Sequence, residues 1–232
     1  MNSPVSSPQG YSPAAITAKI GVLSDSHIPF RLSCLPDQVS TYFSDCDQII
    51  HAGDLEDTSL IAQLGKIAPV HAVAGNIHWQ YATGTHDQDL PMSVSIAVGD
   101  HLIWVTHGHL NFGYAFYDKV CGLPGFIKSL FRRKKRRTLA PKSYLERVNL
   151  RLIARMHRFK PANTSVVVFG HSHKPIGKIF EGVLYYNPGS VIGAEGDLTS
   201  PSIGRLTFYA DGRVEPAWFE LDHNKIQFVN AL

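Results

Sequence analysis

The sequence predicts an α/β fold: a four-layer α-β-β-α sandwich of two mixed sheets carrying a helical insertion. Three observations lead there. Residues 19–75 alternate apolar runs with helix-like segments, the order of a parallel sheet with crossover helices. From residue 91 onward, apolar runs instead face each other across tight turns, as in antiparallel hairpins. Five apolar runs also end on a residue able to bind a metal, and ligands of such sheets gather at the strands' carboxyl ends.

Taken in order, "KIGVLS" reads as the first strand. Leu35, Val39, Tyr42 and Phe43 then recur at helical spacing, and "QIIHAG" is the second strand. "DTSLIAQL" opens on good N-cap residues for a second helix, and "PVHAVAG" is the third strand. "PMSVSIAVGDHLIWVTHGH" is two strands turning at Gly99-Asp100. A long excursion, about residues 112–162, follows. Its second half predicts an amphipathic helix with a Ser143/Glu146 capping box and Leu145, Val148, Leu152, Met156 and Phe159 on one face. "VVVFGHSH" is a buried strand ending on two histidines. Two more hairpins turn at Glu181-Gly182 and Asp211-Gly212. The expected organisation is a disordered Ser/Pro-rich tail over residues 1–18, then one domain over 19–232.

Composition is that of a soluble globular chain, 44% hydrophobic and 18% charged, with no apolar run long enough to span a bilayer. The N-terminal stretch lacks the basic and apolar regions of a secretory signal. Three cysteines without a CxxC pair argue for reduced thiols and a cytoplasmic location, with peripheral attachment to a membrane as an alternative. The net charge of +3 is localised. Lys128, Arg132, Arg133, Lys134, Lys135, Arg136 and Arg137 are seven of the 22 basic residues, and without them 15 face 19 acidic ones.

One histidine at a strand end is unremarkable; five strand ends are a pattern. The candidate ligands are Asp25, His27, Asp54, Asn76, His107, His171 and His173. Carboxylate, imidazole and amide oxygen without thiolate suit borderline or hard divalent ions. Manganese is the first expectation, with Fe, Zn, Ni and Co as alternatives. Seven ligands are too many for one ion, and one bridging carboxylate lets them serve two. Two divalent ions, two aspartates and a bridging hydroxide leave about one positive charge, which favours an anionic phosphoester. Such ions bring the pKa of bound water near neutrality and so supply a nucleophile for phosphorus.

The motifs Asp25-x-His27, Gly53-Asp54-x-x-Asp57, Gly75-Asn76, His107-Gly-His109 and Gly170-His171-x-His173 resemble those of the calcineurin-like metallophosphoesterases. "SDSHIP" and "NPGS" at 187–190 resemble its small bacterial and archaeal phosphodiesterase branch, to which the eukaryotic retromer scaffold subunit is related. The resemblance covers about residues 19–221, the excursion excluded. It implies one metal on Asp25, His27 and His173, a second on Asn76, His107 and His171, and Asp54 as the bridge. It also implies phosphodiester hydrolysis, with a non-catalytic scaffold of the same fold as the alternative.

The chain departs from the family at "GNIHW". Ile77 stands where the family places a histidine or cysteine, and it has no proton to give. His78 and His109 are therefore the candidate general acids. Asn76, His109, Arg132 and Arg133 are the candidate substrate contacts. His51 and His71 read as packed within strands, Asp57 as an N-cap or supporting group, and Cys46 as a small apolar side chain. Residues 121–139 place Leu123, Phe126, Ile127, Leu130 and Phe131 on one helical face, with most cations off it. That pattern suits an anionic membrane surface or another polyanion, or else a solvated charge run; no sequence-specific nucleic-acid motif accompanies it.

Overall fold

Two sheets face each other; among the described residues, one carries two helices on its outer face and the other carries one. The computed structural model describes residues 14–75, 90–108, 142–193, 199–221 and 225–228. In chain order the elements are β1 (Ile16–Leu23), α1 (Asp37–Phe43), β2 (Gln48–His51), α2 (Ser59–Leu64), β3 (Val70–Ala72), β4 (Ser93–Val98), β5 (His101–Thr106), α3 (Lys142–Phe159), β6 (Thr164–Val168), β7 (Ile176–Phe180), β8 (Val183–Asn187), β9 (Ser202–Tyr209), β10 (Val214–Glu220) and β11 (Lys225–Phe228). One sheet has the order β11-β10-β9-β1-β2-β3, the other β4-β5-β6-β8-β7. Both are mixed: β1, β2 and β3 run parallel, as do β5, β6 and β8, and the remaining pairs are antiparallel.

Side-chain alternation along the strands builds the layers. Ile20 and Val22 of β1 meet Ile103 and Val105 of β5, and Val166 and Val168 of β6, between the sheets. Leu23 and Ile49 turn the other way, onto Val39 and Phe43 of α1 and Leu60 and Leu64 of α2. Trp104, Val167 and Tyr185 face outward on the second sheet and are covered by Leu152, Ile153 and Met156 of α3. The central strands are therefore apolar on both faces, as their uninterrupted valines require.

The structure refines several expectations. β1 begins at Ile16, ahead of Lys19, because pairing with β9 carries it further back. β2 and β3 end before "AG", since the chain leaves the ladder to form the site. The second half of the excursion is an integral layer. β5 and β6 pair in parallel, so no tight turn can join them, and α3 lies in their crossover. On α3 the buried stripe is Asn149, Leu152, Ile153 and Met156, while Phe159 at the last helical position is 51% exposed. Ser143 falls inside the helix, not at its cap. All three turns stand where expected; Glu181 and Gly182 both take positive φ, 48° and 76°, as a two-residue hairpin turn demands. Among the described residues, no helix is long and apolar enough to cross a membrane.

Candidate metal centre

The site lies where β1, β2, β5 and β6 end. Asp25 and His27 follow β1, Asp54 follows β2, His107 follows β5, and His171 and His173 follow β6. Backbone bonds continue the parallel pairing of β1 and β2 beyond the ladder: Asp25 N–H to Gly53 O, His27 N–H to Asp54 O and Ile28 N–H to Leu55 O, at 3.0, 3.0 and 3.1 Å. Two other loops lock onto this pair. His171 N–H donates to the Asp25 carboxylate at 3.1 and 3.2 Å, joining the sheets. Ser190 Oγ donates to Asp25 O at 2.9 Å, and Ser24 Oγ to Gly189 O at 2.7 Å, so "NPGS" backs the first ligand loop.

Five of the six described candidate ligands hold left-handed backbone. Asp25, His27, Asp54, His171 and His173 have φ of 52°, 49°, 58°, 71° and 55°. Non-glycine residues avoid this region, and such outliers concentrate where a site needs side chains aimed one way.

The histidines are turned by their far nitrogens. His107 Nδ1 lies 2.8 Å from Ala52 O, and His173 Nδ1 lies 2.8 Å from Gly193 O. A carbonyl only accepts, so each Nδ1 carries the hydrogen and each Nε2 is the ligand atom once neutral. His27 Nδ1 meets Glu56 Oε1 at 2.7 Å, which orients it the same way. The three Nε2 atoms converge on two carboxylates. Asp25 Oδ1 is 3.3 Å from His173 Nε2 and 3.9 Å from His107 Nε2. Asp54 Oδ2 is 3.3 Å from His107 Nε2 and 3.7 Å from His27 Nε2. Among the described residues, two groups of donor atoms are close enough for an ion: Asp25, His27 and His173, and Asp25, Asp54 and His107. Buried carboxylates with neutral imidazoles presented through Nε2 fit divalent metal, and no thiolate competes.

Charge is concentrated here with almost no water to screen it. Burial alone disfavours the charged form of every group, yet the partners win at three. His173 and His107 hold the Asp25 carboxyl down at about 2. Asp54 and Asp25 lift His107 to about 9, and Asp25 also raises His173. Burial prevails at His171, lowered to about 4 with the His107 charge adding to the effect. A metal must displace the proton that His107 holds up to about pH 9. Affinity for Mn2+ should therefore rise with pH towards that value, by up to about tenfold per unit for one released proton, and level off near 9. Calorimetric titration reads this; a flat profile below pH 8 would contradict it.

Of the expected site residues, Asp25, His27, Asp54, His107 and His173 come together as two overlapping donor groups, and the His171 ring packs edge-on against His107 with centroids 5.4 Å apart. Asn76, His78, His109, Arg132, Arg133 and the segment 121–139 lie outside the described residues. Gly75, the last described residue before Asn76, lies directly against Asp54. His51 is wholly buried, with Nε2 3.0 Å from Ser26 Oγ. Asp57 accepts from Ser59 N–H at 2.8 Å, at the first residue of α2, while Thr58 holds the N-cap position. Sequence reasoning missed Glu56, the partner of His27, and Asn187, which ties "NPGS" to the histidine loop through Gly170 O at 2.8 Å.

Comparison with known proteins shows the family and the fold. The family model described as the calcineurin-like phosphoesterase superfamily domain matches residues 18–208. A "Probable metallophosphoesterase" of Methanothermobacter thermautotrophicus is 28% identical over 188 residues, 81% of this chain and 80% of that protein. Another, of Methanocaldococcus jannaschii, is 29% identical over 174 residues, 75% of this chain and 68% of that protein. Vacuolar Protein Sorting 29 from Cryptosporidium parvum shares the fold with a TM-score of 0.59 at 20% identity, over 93% of this chain and 97% of that one. Vps29 of Entamoeba histolytica, solved in complex with Zn2+, gives 0.58 at 19% identity over 90% and 96%. With the family match running from β1 into β9, across every strand end that carries a candidate ligand, the chain belongs to the calcineurin-like phosphoesterase superfamily.

Proposed function

We propose that the chain is a dinuclear-metal phosphodiesterase. The observation that carries this is the position of Asp54, whose Oδ2 lies between His27 and His107, one histidine from each expected ligand set. Asp25, His27 and His173 would hold one ion; Asn76, His107 and His171 the other; Asp54 would bridge. Manganese is the proposed metal, with Fe, Zn, Ni or Co able to replace it on this donor set. When bound, the ions supply Lewis acidity and lower the pKa of water, making it a nucleophile towards phosphorus. The chain's own part is to fix that geometry. Glu56, Ala52 O and Gly193 O orient three imidazoles, and the buried carboxylates offset part of the metal charge, leaving the centre attractive to an anionic ester.

Proton delivery to the leaving group falls to His78 or His109, since Ile77 cannot serve. Comparing aryl phosphodiesters of low and high leaving-group pKa in His78→Ala and His109→Ala tests this. The acid's variant should lose turnover selectively with the poor leaving group, by about 100-fold. Equal losses with both esters in both variants would remove both from the role.

Residues 121–139 are proposed to face an anionic membrane surface or another polyanion from a cytoplasmic protein. Cations near such a surface contribute up to about 1 kcal/mol each. Co-sedimentation with phosphatidylserine vesicles should occur at low salt, weaken at high salt and vanish when 121–139 is deleted. An intact chain that ignores the vesicles makes the segment a solvated charge run.

A further inference from the structure

The ligand loops share one backbone device. In Asp25-Ser26-His27, both ligands are left-handed and the residue between them is not; His171-Ser172-His173 repeats this. Asp54-Leu55-Glu56 repeats it again, with φ of 58° and 79° at its ends. In each loop the outer two side chains serve the site and the spacer is driven inward. Leu55 is wholly buried in the apolar layer beneath α1 and α2. The other two spacers are serines, 0% and 6% exposed, and apolar packing is not what anchors them.

Ser172 is saturated. Its Oγ donates to Asn149 Oδ1 at 2.6 Å and accepts from Asn187 Nδ2 at 3.1 Å and Lys174 N–H at 3.3 Å. Asn149 Nδ2 donates onward to Lys174 O at 3.2 Å, and Asn187 Nδ2 to Gly170 O at 2.8 Å. The network thus grips the chain on both sides of His171 and His173. Both asparagines are wholly buried, and Asn149 is the polar member of the otherwise apolar α3 stripe. Among the described residues, Ser26 Oγ has one bond, to His51 Nε2 at 3.0 Å, also wholly buried.

We propose that Ser26 and Ser172 are positioning residues of the metal centre: hydrogen-bonded to His51 in one loop and to Asn149 and Asn187 in the other, their hydroxyls hold the flanking ligands in left-handed backbone. Left-handed conformation at four non-glycine residues persists only where the surroundings impose it. In the second loop the imposition comes from α3. That helix reaches the ligand loop through Asn149, which bonds both Ser172 Oγ and Lys174 O.

The inference rests on the reading of these loops as metal-binding, and the experiment separates the two. Ser172→Thr and Ser172→Val are matched in shape and differ in the hydroxyl, as are Ser26→Thr and Ser26→Val. On the full-length chain, Mn2+ affinity is measured by calorimetry, Co2+ geometry by its visible absorption, and metal-free stability by thermal unfolding. Each Val variant should bind Mn2+ roughly 10- to 100-fold more weakly than its Thr partner, the range expected when a ligand's support is lost, and should shift the Co2+ bands. The Thr variants should stay within about threefold of the parent chain. If Ser172→Val does not fold, Asn149→Leu breaks the same bond from the helix side and should weaken binding likewise. Equal affinities and spectra in each Thr/Val pair, with only the melting temperature lowered, would make the serines purely structural and overturn the proposal. A parent chain that binds neither ion would overturn the metal-binding reading itself, and the positioning role with it.

Discussion

Replacing Asp54 with asparagine is expected to lower phosphodiester turnover by at least ~100-fold at saturating metal while the protein stays folded. Asp54 is 6% exposed, and its Oδ2 stands 3.3 Å from His107 Nε2 and 3.7 Å from His27 Nε2. Asparagine preserves the outline of the side chain and removes the charge and one of two ligating oxygens. A bridge between two ions needs both oxygens or one shared anionic oxygen, and an amide offers neither. None of the three apolar layers includes Asp54, so the fold does not depend on it. Circular dichroism and turnover of an aryl phosphodiester on one preparation decide the matter, and near-parental turnover would sink the bridging role.

A second large effect is expected at Gly75. A Cβ built there would run into the Asp54 side chain and backbone N, and would lie 2.7 Å from Asp54 Cα. The obstacle is largely main chain, itself tied into the β1–β2 loop pair by His27 N–H to Asp54 O, so it cannot swing aside as a flexible side chain would. Gly75→Ala should therefore cost towards the upper end of the roughly 1–3 kcal/mol typical of overpacking, and displace Asp54 as well. The melting temperature should fall several degrees, at about 2–4 °C per kcal/mol for a chain of this size. Mn2+ affinity should fall at least about tenfold. An alanine variant with parental stability and metal affinity would show that the two loops have slack the structure does not display.

Those two residues were legible because a buried strand that stops on Gly-Asp or Gly-Asn breaks its own pattern. The same logic exposed Asp25, His27, His107, His171 and His173. The hairpins were legible because Glu181-Gly182, Asp211-Gly212 and Gly99-Asp100 have the residues that tight turns require. Glu56 was harder to see. It and Asp57 are adjacent acids, and which one reaches His27 depends on left-handed backbone at Asp54 and Glu56, which turns alternate side chains to the same side. No composition rule states that angle. Asn149 did leave a signal, a polar residue within an apolar helical stripe, but its partner Ser172 is 23 residues away. The insertion of β9 beside β1 likewise rests on pairing between residues almost two hundred apart, such as Ile20 with Leu206. Local patterning is silent at that distance, whereas the alternation that sorts Ile20 and Val22 from Leu23 is purely local.

If one chain holds two divalent ions and uses both on a phosphodiester, bound metal and turnover are linked in a defined order. Titrating the metal-free protein with Mn2+, while following bound metal by mass spectrometry and hydrolysis of bis(p-nitrophenyl) phosphate in the same samples, addresses it directly. Binding should saturate at about two ions per chain, with turnover appearing as the second ion fills, since a nucleophile shared by two metals needs both. Two bound ions without turnover of this or any other phosphodiester would leave a metal-binding scaffold, and saturation at one ion, or none, would contradict the dinuclear centre.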